Sequence, residues 1–227
     1  MLTTILSPFL NLLYPRLCPV CGRSMVVGES YICSFCLSDF PLSNTVSTGE
    51  SHLNNEAVEQ RPERQYSLFF YDKHSNYSNL IHAIKYKSRK ELGVYLGNML
   101  GDRIRDEISV DAVVPVPLHW AKEKKRGFNQ SAQIARGIAS VLQVEVLENV
   151  LQRIQNTPSQ TGKNPEERLR NVENVFELKQ VSEIRHKHLL LVDDVITTGA
   201  TIHSCMKVLS QAEGIRVSLG CLARTTL

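Results

Sequence analysis

The chain has 227 residues, of which 42% are apolar and 22% charged, and a formal net charge of +3. That length suits one full α/β domain with a small satellite module, and the composition excludes disordered, collagen-like and disulfide-stapled classes. The charge is too small to demand a polyanionic partner. Residues 1–15 are apolar, but Pro8 and Asn11 interrupt them, and neither a basic leader region nor a small-residue cleavage site is present. A spanning helix needs about 20 apolar residues, so residues 2–14 are expected to form an amphipathic helix packed on the body of a cytoplasmic protein.

Two Cys-x-x-Cys knuckles follow, Cys18-Pro-Val-Cys21 and Cys33-Ser-Phe-Cys36, with eleven residues between them. Each offers two thiolates from one tight turn, and together they close a tetrahedral zinc site without an open position. A redox pair is the competing use of one such motif. Two pairs so close together favour a structural Zn2+ on Cys18, Cys21, Cys33 and Cys36. Cys205 and Cys221 lie in apolar patterns, as core thiols do. Residues 41–64 have few apolar positions and no periodicity, which reads as a polar linker between a module of residues 1–40 and a domain of residues 65–227.

From Tyr66 onward strands alternate with helical patterns. Strands are expected at Ser67–Tyr71, Ala112–Val116, Glu145–Leu147, Val150–Arg153, Val175–Leu178, His188–Val192 and Val217–Ala223. Helical spacing marks Asn129–Gln143, through Ala135, Ile138, Ala139 and Leu142, and Thr201–Ala212, through Ile202, Cys205, Val208 and Leu209. The alternation predicts a Rossmann-like α/β fold, a mostly parallel sheet with helices on both sides. Ligands of such sheets bind outside the carboxyl ends of the strands. Two of those ends carry chemistry.

The run after Val116 holds Lys122, Lys124, Lys125 and Arg126, ahead of a helix starting near Asn129. Flexible cations at a strand tip suit a pyrophosphate, whose charge grows as it leaves. Lysine runs are more often a solvated loop, and that reading fits Lys122 and Lys124 better than Arg126. The run after Val192 is Asp193-Asp194-Val-Ile-Thr197-Thr198-Gly199-Ala200-Thr201. Adjacent carboxylates suit the vicinal hydroxyls of a sugar or outer-sphere contact with a divalent ion. The small-residue turn and the helix that follows can close backbone N–H groups around a phosphate. A capped helix start explains one Asp or one Thr, but not two acids and three threonines within nine residues. The layout is the one a 5-phosphoribosyl group requires. A nucleoside-triphosphate P-loop is excluded, because the chain has no Gly-Lys-Ser/Thr.

Residues 189–201 resemble the phosphoribosyl pyrophosphate (PRPP) signature of type I phosphoribosyltransferases. The rest of the chain, from the paired cysteines to Ala223-Arg-Thr225, resembles the ComF family within that group. The resemblance implies that Asp193 and Asp194 hold the ribose hydroxyls, with Thr197, Thr198, Gly199, Ala200 and Thr201 on the 5-phosphate and Mg2+ accompanying PRPP. It makes Arg126-Gly-Phe-Asn-Gln130 a family signature, with Arg126 catalytic beside the two acids, and Lys85 in Ile84-Lys85-Tyr86-Lys87 a phosphate contact. The segment from Asn156 to Val172 reads as a mobile flap, with Gln160, Arg168 and Asn171 closing over a ligand. Residues Gly162–Asn164 depart from the expected Leu-Ser type of sequence there, and a surface salt bridge is the competing role of Arg168.

Two functions stay open on these residues. The one that the ComF resemblance implies and favours is a PRPP-binding protein of natural transformation that handles imported single-stranded DNA. Basic stretches 85–90 and 122–126 beside Tyr86, Trp120 and Phe128 suit a single-strand groove, away from the acid pair. The other is a transferase moving ribose 5-phosphate from PRPP to a base or amine. Partners are then PRPP, single-stranded DNA, proteins of the DNA-uptake machinery, and a second copy of the chain. A glutamine-dependent amidophosphoribosyltransferase is not expected, since those enzymes carry an N-terminal Cys nucleophile and this chain starts Met1-Leu2.

Overall fold

The computed structural model describes residues 15–43, 46–48, 61–86, 89–155 and 175–225. The expected helix over residues 2–14 and the flap residues Gln160, Gly162–Asn164, Arg168 and Asn171 lie outside them. Strands β1 (Val46–Thr48), β2 (Arg64–Tyr71), β3 (Ala112–Pro115), β4 (Glu145–Val146), β7 (His188–Ile196) and β8 (Arg216–Thr225) form one sheet. Its order is β1-β2-β8-β7-β3-β4, and β5 (Leu151–Arg153) and β6 (Phe176–Leu178) make a separate antiparallel hairpin. Among the described strands of the large sheet, β1–β2 pair antiparallel and the other neighbours pair parallel. β1 falls in the stretch that looked like a linker. An edge strand of three residues makes its hydrogen bonds through the backbone and leaves no apolar period to read.

The sheet is covered on both faces, as the continuous apolar run of β7 demands. Leu190 and Val192 join a buried cluster with Val113, Ile134 and Ile138, while Leu189 and Leu191 join another with Ile202, Cys205 and Leu209. The first face carries helices α2 (Ser78–Tyr86), α3 (Lys90–Ile104) and α5 (Gln130–Leu142), and the second carries α6 (Ala200–Leu209) with the β5–β6 hairpin. Helices α3 and α5 touch backbone to backbone. A Cβ on Gly137 would run into the carbonyl oxygen of Val94, and one on Gly97 into that of Ile134. Only glycine permits this approach.

The cysteine unit, which includes the short helix α1 (Ser34–Ser38), is welded to the sheet. Cys18, Val20, Ile32, Cys33 and Phe40 belong to the same buried cluster as Leu68, Leu80 and Leu96. Phe40 meets the rings of Phe69 and Tyr77 edge-on, and Tyr31 stacks on Tyr95 at 4.9 Å. The Tyr77 hydroxyl reaches the carbonyls of Cys36 and Asp39 at 2.8 and 2.9 Å. Among the described residues no helix is long and apolar enough to cross a membrane.

Candidate functional site

Strand β7 does not stop at Val192 as its apolar run suggests. Strand β8 runs alongside it far enough to pair Asp193 with Cys221, Val195 with Ala223 and Ile196 with Arg224. On the other side β3 ends at Pro115, opposite Val192, and the last ladder bond there runs from Val116 N–H to the Val192 carbonyl. Beyond that point, among the described residues, β7 has a neighbouring strand on one edge only. The acid pair sits in this notch, inside the strand rather than after it.

Successive side chains of a strand leave opposite faces, so the two carboxylates diverge. Asp194 turns to the α2 face, where its Oδ2 lies 2.6 Å from Lys85 Nζ and its Oδ1 accepts from the N–H of Val195. Asp193 Oδ1 accepts from Ser131 Oγ at 2.9 Å and from the N–H of Asp194 at 2.8 Å. Burial, then the charge of Asp194, pushes the Asp193 carboxyl up to about 7, against the pull of the Asp194 N–H, Lys85 and Ser131. Burial alone would lower the Lys85 ammonium, but its contact with Asp194 outweighs this and raises it.

The loop after β7 closes on helix α6. Gly199 takes φ +73°, the left-handed turn that glycine adopts freely, and no side chain caps the helix behind it. The first-turn N–H groups of α6 therefore remain for an anion. Thr197 is exposed, Thr198 and Thr201 are half-buried, and Gly199 and Ala200 are buried.

Residues after Val116 form a helix, α4 (Trp120–Arg126), where a flexible loop was expected. His119 Nδ1 accepts from Ala121 N–H at its start, and Gly127 ends it. Helical spacing puts Lys122 and Arg126 on one half-buried side, while Lys124 and Lys125 are exposed. Lys122 is thus no solvated bystander: burial, then the charges of Arg153 and Arg126, lower its ammonium. Arg153 at the end of β5 lies over the Phe176 ring, and burial lowers it too, although the charge of Asp193 pulls the other way. Arg126 hydrogen-bonds Gln130, and Asn129 Nδ2 donates to the Val116 carbonyl, pinning α5 to the β3 tip.

Lys85 and Arg153 therefore reach the acid pair, and Lys122 and Arg126 lie beside those two cations. Sequence reasoning had passed over Arg153 and Ser131. Of the aromatic residues proposed to stack bases, Trp120 is 68% exposed, whereas Phe128 is 5% exposed. Phe128 lies in the buried cluster, where no base can reach it; the side chain of Tyr86 is outside the described set.

The four knuckle cysteines converge. Their sulfurs all lie within 4.8 Å of one another, with Cys18, Cys33 and Cys36 buried and Cys21 exposed. The Cys33 N–H points at Cys18 Sγ at 3.5 Å. Burial opposes ionisation of Cys18, but N–H groups of Cys33, Cys21 and Val20 bring it down to about 7. Burial pushes Cys36 up, and three neighbouring sulfurs add to this. Such a packed thiol set, with backbone N–H groups aimed at one of its sulfurs, could hold a metal ion.

Residues 99–225 match the family model for the phosphoribosyl transferase domain. The chain is 28% identical over 224 residues to the DNA utilization protein YhgH of Escherichia coli (strain K12), which spans 93% of this chain and 98% of that protein. It is 25% identical over 221 residues to competence protein F of Haemophilus influenzae, covering 91% and 96%. The adenine phosphoribosyl transferase of Trypanosoma brucei superposes with a TM-score of 0.40 and 11% identity, over 65% of this chain and 68% of that one.

Proposed function

The chain belongs to the phosphoribosyl transferase domain family, in its ComF branch, and from that premise we propose that it binds magnesium PRPP at the β7–α6 loop and works in handling single-stranded DNA taken up during natural transformation. The observation that carries the ligand reading is the junction of the Asp193–Asp194 notch with an uncapped helix start behind Gly199. The acids face the sugar hydroxyls and the divalent ion, and the turn from Thr197 to Thr201 takes the 5-phosphate. Lys85, Lys122, Arg126 and Arg153 neutralise the diphosphate. Hard carboxylate oxygens fit Mg2+, which would shield diphosphate charge when bound. The DNA role rests on the names of two relatives that match nearly end to end, a competence protein and a DNA utilization protein. Zn2+ on Cys18, Cys21, Cys33 and Cys36 is a structural ion in this reading, which a reducing, cytoplasmic setting would suit.

The cation cluster favours a second reading, transfer chemistry. The C1–O bond of PRPP breaks, its electron pair leaves with pyrophosphate, and an acceptor nitrogen bonds to C1 and then loses its proton. Arg126 and Arg153 stabilise the growing charge of the leaving group. Calorimetric titration with magnesium PRPP tests the ligand. The unmodified protein binds it, and Asp193→Asn/Asp194→Asn weakens binding at least about a hundredfold, two charged hydrogen bonds at roughly 1.5–3 kcal/mol each. Equal affinity in that double variant overturns the assignment. Pyrophosphate release with a base, ammonia or single-stranded DNA separates transferase from binding protein.

A further inference from the structure

Lys85 and Asp194 form an unequal pair. Lys85 Nζ lies 2.6 Å from Asp194 Oδ2, the side chains being 25% and 7% exposed. Among the described residues Oδ2 has no hydrogen-bond partner besides this ammonium. The other oxygen, Oδ1, is held by the N–H of Val195. The carboxylate is therefore fixed by its own strand, while the cation hangs on a flexible four-carbon stem from the last turn of α2. Of the two partners, the lysine is the one able to leave.

We propose that Lys85 is an exchangeable internal counter-ion: it holds the cation position at Asp194 Oδ2 and yields it to a divalent cation that arrives with a diphosphate ester, its ammonium moving onto the diphosphate oxygens. The proposal rests on the ligand reading above and adds the group that must be displaced. A buried carboxylate stripped of its cation is costly, so neither partner is released without a replacement. A divalent ion alone replaces Lys85 at Asp194 but leaves the ammonium without an anion. A diphosphate ester alone receives the ammonium but leaves Asp194 bare. Arriving together, the two satisfy both groups, so metal and diphosphate enter as a unit.

The test uses Mn2+ alone, titrated into the full chain without PRPP and followed by the electron paramagnetic resonance signal of the free ion. An ammonium seated about nine-tenths of the time weakens apparent metal binding about tenfold. Lys85→Met is therefore expected to bind Mn2+ about tenfold more tightly than the unmodified chain, with the gain lost in Lys85→Met/Asp194→Asn. Lys85→Gln replaces the Met variant should circular dichroism find that one unfolded. Equal Mn2+ affinity with and without the lysine overturns the proposal. Tighter Mn2+ binding in the Lys85 variant, alongside no magnesium PRPP binding by the unmodified chain, upholds the counter-ion and overturns the ligand reading.

Discussion

The hydroxyl of Ser131, in the first turn of α5, donates to Asp193 Oδ1 at 2.9 Å, on the same oxygen that takes the Asp194 N–H. One helix start thereby sets the orientation of a carboxylate on a strand. Asn129, two residues earlier, caps that helix through Ser131 N–H and grips the Val116 carbonyl. The tips of β3 and β7 and the start of α5 are thus fixed to one another.

Ser131→Ala removes a hydrogen bond to a charged group, worth roughly 1.5–3 kcal/mol. PRPP affinity is expected to fall about tenfold. The hydroxyl also favours the ionised form of Asp193, so the pH midpoint of PRPP binding should move upward in this variant. Calorimetry across a pH series reads both effects. An unchanged affinity with an unchanged midpoint would mean that the bond orients nothing of use.

Asp193 has a cost that pH exposes. Its carboxyl is raised in the folded chain to about 7 from an ordinary 3.8, so the folded state holds the proton more tightly than the unfolded state. The stability this gives is complete below the unfolded value and is lost as pH rises through the folded one. Asp193→Asn keeps the acceptor oxygen and never ionises. The variant should melt above the unmodified protein at alkaline pH, by about 2–4 °C for each kcal/mol recovered, and the gap should close near pH 4. A gap that is the same at both ends of the range would refute the assignment.

The sheet and the acid pair were legible because their signals are local. Four apolar residues of β7 followed by two acids, three threonines and a glycine name a strand and a helix start without help from elsewhere, whereas the notch depends on where β3 ends and was not legible. Helix α4 was not legible, since it buries no residue and has no apolar stripe; its caps, His119 and Gly127, hold a charged sequence helical. Arg153 was missed because nothing in Leu151–Arg153 tells a site cation from a surface one. Its place over Phe176 and within reach of Asp193 comes from the hairpin. Phe128 misled in the opposite sense: an aromatic among cations reads as a stacking platform, yet it fills the core beneath Lys90. The Lys85–Asp194 contact joins α2 to β7 across the fold, and no local pattern carries such a pair.

The knuckle cysteines make a prediction about stability well beyond their own turn. The protein as purified should carry close to one zinc per chain, by elemental analysis. Phe40, Tyr31 and Tyr77 tie the unit to β2, α2 and α3, so stripping the metal with a chelator should lower the melting temperature of the whole chain. Cys18→Ser should do the same. Finding no zinc, with all four thiols freely titratable, would exclude the site.

DNA binding and PRPP binding should separate along helix α4. Lys122 and Arg126 share the half-buried side of the helix, with Arg153 beside Lys122, whereas Lys124 and Lys125 face solvent and Trp120 stands exposed at the helix start. The outer lysines draw a phosphate chain, and the indole ring can stack a base. Each single-strand phosphate contact contributes about 0.7 to the slope of log affinity against log salt. Lys124→Gln/Lys125→Gln should therefore flatten that slope by about 1.4 for single-stranded DNA while magnesium PRPP affinity stays the same. Trp120→Ala should weaken the DNA by roughly 1–3 kcal/mol with the slope unchanged, since stacking releases no counter-ion. Lys122→Gln, on the inner side, should weaken PRPP instead. Filter binding over a salt series and calorimetry on the same variants measure the two ligands separately. If the outer lysine pair leaves the DNA slope where it was, or costs PRPP as much as DNA, then the outer side of α4 is not where the strand lies.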